Sequence, residues 1–201
     1  MNKRIGMISS IVTLLAVLSF ALAMIIGSDL GSYLSSMFIA WGFVPLICSF
    51  ASYGKKERAA MGYTAIAFAA VYAVFIMMVY FAQLTAVRLG GLNEQAARII
   101  DYETFGLFFS YDLLGYAFMA LSTFFIAFTI NPKRRADRAL RVLLWIHGVF
   151  AISCVIMPML GLFSTDMAGG DLIGVLVLEF WCAFFTPVCM LSYHYFKKFD
   201  Y

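Results

Sequence analysis

Charge is what this sequence has least of. Of its 201 residues, 12% are Asp, Glu, Lys or Arg, about half of the ~25% found in ordinary soluble domains. That excludes a normally solvated surface. Histidine is scarcer still, with two residues in the whole chain. His147 and His194 lie on different segments, so the H-E-x-x-H zinc pair of metalloproteases is absent. No G-x-S-x-G nucleophile motif occurs either. The four cysteines, Cys48, Cys154, Cys182 and Cys189, all fall inside apolar stretches without disulfide or zinc spacing. They read as small, reduced core residues. No motif implies a cofactor or a metal.

What fills the sequence is apolar. Hydrophobic residues make up 64% and the mean hydropathy is +0.92. They run in long blocks, not in short alternating stretches. Six nearly uncharged blocks stand out, at about 5–26, 33–53, 60–88, 105–130, 139–163 and 172–196. Each is long enough for a transmembrane helix. A membrane barrel would need ten-residue segments of alternating polarity. In lipid, a segment apolar on all sides satisfies its backbone only as a helix. The expected fold is therefore an all-α, six-helix integral membrane bundle, one domain over 1–201. The first block follows a basic start, and Ala21-Leu-Ala23 resembles a cleavage site. Its run exceeds the ~7–15-residue core of a signal peptide, so it reads as an uncleaved span.

Lys and Arg set the topology. The N-terminus, the 55–58 turn, the 133–141 stretch and Lys197-Lys198 hold 12 of the 14 basic residues. The other side has Arg88 and Arg98, against Asp29, Glu94, Asp101, Glu103, Asp166 and Asp171. Positive loops stay inside, which predicts both termini in the cytoplasm of a cell-membrane protein. The basic residues thus signal orientation and not nucleic acid. The partner they meet is the bilayer, where they attract acidic head groups.

One outer connection is long. After Gly90-Gly91, Asn93 is a helix N-cap and Glu94 lies in the first turn, where negative charge is favoured. Ala96, Ala97, Ile99 and Ile100 form an apolar side. A short amphipathic outer helix between the third and fourth spans is expected, as a connector or as a lid.

The few polar residues within spans carry the functional question, because ionisable groups there are costly and face the bundle interior. They are Gln83, Asp112, His147 and Glu179, with Arg88 at the outer edge of the third span. At ~1.5 Å per residue, Asp112 and Glu179 both lie roughly 10 Å below the outer surface, and Gln83 is near that level. His147 lies nearer the midplane. At the same helical spacing follow Gly115, Met119 and Ser122 after Asp112, and Ala151, Cys154 and Pro158 after His147, while Cys182, Thr186 and Cys189 after Glu179 form a polar or small stripe. Such stripes mark interhelical faces. Pro45, Pro158 and Pro187 are expected kink sites.

Two readings of these groups stand side by side. In one, Asp112 and Glu179 are cation- or proton-binding carboxylates of an outward-facing cavity lined by spans three to six. Gln83 is then a polar contact, Arg88 a gate or counter-charge, Tyr111 and Tyr116 aromatic walls, and His147 a further candidate. This describes a small-molecule binding or transport protein, in which protonation of a desolvated acid couples to ligand release. In the other, Asp112 pairs with Arg88, Glu179 is a neutral acid bonded to a carbonyl, and His147 is a hydrogen-bonded core residue. A membrane enzyme using the same acids on a lipid-like substrate, and a non-catalytic subunit or assembly factor, are the alternatives. Tyr111-Asp112 matches the Y-D half of intramembrane aspartyl proteases. The other half, G-x-G-D, is missing: Ala168-Gly-Gly-Asp171 lacks the first glycine and lies at the outer edge. An acid dyad must share one level.

Overall fold

The computed structural model describes residues 1–163 and 172–198. Among these residues, eight α-helices order as α1 (Asn2–Ile25), α2 (Asp29–Ser52), α3 (Ala59–Ala82), α4 (Glu94–Ile100), α5 (Leu107–Ala127), α6 (Arg135–His147), α7 (Phe150–Met159) and α8 (Leu172–Lys197). Counting α6 and α7 as one rod, six helices are long and apolar enough to cross a membrane. No strand occurs among the described residues. Asp166, Asp171 and the Ala168–Asp171 run lie outside the described residues.

Most of the expected boundaries hold within a few residues, and the exceptions have local causes. α2 starts earlier than hydropathy suggests because Ser28 caps it, its hydroxyl accepting from the Gly31 N–H at 3.2 Å. The fifth block is two helices. Gly148 and Val149 interrupt it with tight i→i+3 bonds to Trp145 and Ile146. A Cβ on Gly148 would meet the Phe124 side chain at 2.9 Å, so the break sits where α5 crosses closely. Pro158 lies in the last turn of α7 and not at a mid-span kink. α3 ends in a π-helical turn over Gln83–Val87, in which the Arg88 N–H reaches back five residues to the Gln83 carbonyl. The short outer helix is present as α4, with Asn93 as its cap: Oδ1 accepts from the Ala96 N–H at 2.8 Å.

The long helices pack as a ring. α1 lies against α2 and α8, α3 against α2 and α5, and α5 against α6 and α7, while α6 returns to α8. The interior holds Phe43, Tyr72 and Phe185, with ring centroids 5.4 Å apart for Phe43–Tyr72 and 6.3 Å for Phe43–Phe185. The small stripe on α5 is an interhelical face, as its composition predicts. Gly115 lies under Phe75 and Ile76 of α3, and the Ser122 hydroxyl donates to the Ala65 carbonyl at 2.8 Å. Cys182 and Cys189 are buried, but Cys48 is exposed, contrary to the expected core position; all four cysteines are free.

The perimeter is apolar. Leu15, Leu22, Val74, Phe81, Ile152 and Phe180 are all more than half exposed. The two ends differ in charge. Gly6 of α1 rests on the Phe196 ring of α8, and Phe196 stacks near Phe50 at the end of α2. The start of α1 and the end of α8 therefore share one end with the 53–58 turn and the start of α6. This basic end carries 12 of the chain's 14 Lys and Arg residues. The opposite end carries α4 and the 101–106 segment.

Candidate functional site

Asp112 projects from the second turn of α5 into the ring and is 2% exposed. Its Oδ2 accepts the Tyr102 hydroxyl at 3.3 Å. Its Oδ1 has no hydrogen-bond partner. The Tyr80 hydroxyl also approaches the carboxylate, and the Tyr116 and Tyr80 hydroxyls converge on Ser36 of α2. Rings of the same group pack in series. Tyr33 lies 5.4 Å from Tyr80 and 6.0 Å from Tyr102, and Tyr72 lies 5.7 Å from Tyr116. The fully buried Tyr72 hydroxyl, like Asp112 Oδ1, has no partner. Five tyrosines from α2, α3, α5 and the outer segment thus surround one carboxylate. An unpaired buried polar atom costs on the order of 1–3 kcal/mol, and more when charged. This cluster carries two of them.

Tyr102 reaches Asp112 because Gln83 holds the outer segment down. Gln83 is 3% exposed. Its Nε2 donates to the Ile100 carbonyl at 2.8 Å, and its Oε1 accepts the Tyr102 N–H at 3.0 Å. The segment then leaves through Phe105, whose φ of 52° is left-handed, a conformation costly for a non-glycine residue. Gly106 follows, lying directly against the Arg98 carbonyl, where no side chain fits. Phe105 and Phe109 close the turn at 4.6 Å between rings. Burial pushes the Tyr102 phenol well above the usual tyrosine range, and the adjacent Asp112 carboxylate adds to this. Above it is an acidic rim. The Glu103 carboxyl is held above the ordinary glutamate value by partial burial, then by the charges of Asp29 and Asp101.

His147 belongs to a different, deeper set and is 1% exposed. Trp181 Nε1 donates to His147 Nε2 at 3.0 Å, and Nδ1 meets the Thr123 hydroxyl at 2.8 Å. Since Nε2 accepts, the ring proton sits on Nδ1 and donates to Thr123, whose hydroxyl passes to the Ala120 carbonyl at 2.8 Å. Every ring nitrogen is satisfied, which is the arrangement of a core histidine. Tyr116 links the sets, its ring 5.8 Å from Trp181.

The other sequence candidates separate from Asp112. Arg88 is exposed and has no ion pair among the described residues, so the Asp112–Arg88 bridge is not formed. Arg88 follows the π turn at the exposed outer end of α3. Tyr111 turns to the other side of α5, packing on Phe75 at 5.5 Å and Phe108 at 6.1 Å. Glu179 on α8 is half-buried, and its Oε1 has no partner. It forms no hydrogen bond with the Asp112 cluster. Open apolar grooves of about 320 and 350 Å³ lie on α1 and α2, lined by residues such as Val12 and Phe38 and away from Asp112. Among the described residues, no three of His, Cys, Asp or Glu gather as a metal-ligand set.

Sequence reasoning missed Tyr72, Tyr80, Tyr102, Ser36 and Trp181. A signal existed for two of them. Tyr72, Ile76, Val79, Tyr80 and Gln83 recur at helical spacing, and all are buried. No protein-family model matches this chain, and no curated protein and no solved structure is significantly similar to it.

Proposed function

We propose that this chain is a multi-pass protein of the cell membrane that binds a small cationic solute, for capture or transport. The solute reaches Asp112 from the side opposite the termini, and the termini lie in the cytoplasm. One observation carries the reading: a buried carboxylate with an unpartnered oxygen, walled by tyrosines and closed over by an outer segment. An ammonium-type cation satisfies both needs of such a site. It neutralises the carboxylate, whose charge in a low-dielectric interior is expensive, and it is attracted to tyrosine ring faces.

Other features support the reading. The exposed apolar perimeter suits lipid, and the concentration of Lys and Arg at one end suits a cytoplasmic face. Asp29, Asp101 and Glu103 form an acidic mouth above Asp112, which raises the local concentration of cations. The conformation described is then the closed one. Opening requires the Gln83 bonds to Ile100 and Tyr102 to break, so that Tyr102 withdraws from Asp112.

Native mass spectrometry of the protein gently extracted from its own membrane tests this. A retained small cation that is absent from Asp112→Asn is the expected result. A neutral ligand kept equally by Asp112→Asn, or a stoichiometric protein partner with no small molecule, contradicts it.

A further inference from the structure

The basic end holds a second group of unsatisfied polar atoms, on α6. Arg134, Arg138, Arg141 and Trp145 follow at i, i+4, i+7 and i+11, so they share one helix face. That face is neither the core face, which buries Leu140 and Leu144, nor the outward face of Val142 and Ile146. It flanks the end of α5. The Arg141 guanidinium lies over the Trp145 ring at 4.5 Å, and that ring is 5.4 Å from Phe128. The Phe128 carbonyl accepts Arg58 Nη1 at 2.8 Å. Arg58 and the Trp145 indole thus meet at Phe128, and Arg141 covers the indole.

These groups have no counter-charge. Arg141 and Trp145 are half-buried, and Arg141 Nε and Trp145 Nε1 have no hydrogen-bond partner. Arg58, Arg138 and Arg141 form no ion pair among the described residues. Two acids are near in sequence. Asp137 faces the core, its Oδ2 accepting the N–H groups of Lys133 and Arg134 at 3.1 and 3.0 Å. Glu57 is exposed. A half-buried arginine without a partner favours an anion, and its planar fork fits phosphate in bidentate fashion.

We propose that Arg58, Arg138, Arg141 and Trp145 form a binding site for the phosphate headgroup of an anionic phospholipid, in the leaflet that the basic end meets. The inference rests on the membrane placement proposed above but not on the Asp112 site. The guanidiniums of Arg138 and Arg141 take the phosphate. The Trp145 ring, between Arg141 and Phe128, backs the site at the interfacial level that indoles favour. Exposed Phe124 and Ile146 line the path of the acyl chains.

Trp145 is also the reporter. The full chain carrying Trp41→Phe is reconstituted in vesicles of phosphatidylcholine with a small, varied fraction of brominated phosphatidylglycerol or brominated phosphatidylcholine. Trp181, 8% exposed, gives a constant background. Brominated phosphatidylglycerol is expected to quench at a several-fold lower mole fraction than brominated phosphatidylcholine. Arg141→Gln should lower that preference about fivefold, the equivalent of roughly 1 kcal/mol per basic residue. Arg135→Gln, on another face of the same helix, should leave it nearly unchanged. Equal loss in the two variants means diffuse attraction and overturns the site. So does equal quenching by both lipids. Quenching by neither overturns the membrane placement itself.

Discussion

Gln83 and Tyr102, nineteen residues apart, are joined through the Gln83 carboxamide. Its oxygen accepts the Tyr102 N–H at 3.0 Å while its nitrogen donates to Ile100 at 2.8 Å. One side chain at the end of α3 therefore fixes the outer segment that carries Tyr102 onto Asp112.

Replacing that carboxamide should free the segment. Gln83→Leu keeps the volume but leaves the half-buried Tyr102 N–H and Ile100 carbonyl without this partner, a loss of about 1–3 kcal/mol in local stability. Hydrogen exchange at the amides of residues 100–104 is expected to accelerate roughly 5- to 150-fold, the equivalent of that free energy. Protection in the core of α3 and α5 should be retained. Unchanged exchange at residues 100–104 would mean that the segment is held by packing alone.

The Tyr102 phenol gives a pH signature. Burial raises its folded value well above the ordinary range, whereas in the unfolded chain it titrates near ~10. Above that pH the unfolded state holds fewer protons at this site than the folded one. Its contribution to stability is thus complete below pH ~10 and is lost as the pH rises. Wild-type protein should lose more stability than Tyr102→Phe between pH 9 and 11, measured by denaturant unfolding. Parallel losses in the two proteins would show that the phenol is freely solvated.

The sequence made the helices legible because lipid-compatible helices need long uncharged blocks, and little else produces them. It did not reveal the break in the fifth block. Gly148 reads as one more small residue until Phe124 is seen against it. Asp112 was legible as an inward-facing group because a lone acid in an apolar run is costly to leave in lipid, and it is 2% exposed. Its surroundings were not, for two physical reasons. Tyrosine counts as apolar in a hydropathy pattern, so Tyr72 and Tyr80 disappear into α3. Tyr102 arrives only because a connection folds back over the bundle, and periodicity carries no information about that. Arg88 pairs with no acid among the described residues, because it lies exposed past the end of α3 where its charge is solvated. His147 was legible as an interior polar residue, but its partners Thr123 and Trp181, which satisfy both ring nitrogens, were not.

The central claim is that Asp112 receives a cation. The most direct measurement is the thermal stability of the reconstituted protein in the presence of small alkylammonium ions and of neutral alcohols of the same size. It is made on wild type, Asp112→Asn and Asp112→Glu. Ligand that binds only the folded state raises the unfolding midpoint, increasingly so as its concentration exceeds Kd. The account predicts that at least one ammonium ion stabilises wild type and that the alcohols do not. Asp112→Asn should fold but lose the response, and Asp112→Glu should retain part of it. A wild type that does not distinguish charged from neutral probes, or an Asp112→Asn variant with the full response, would contradict it.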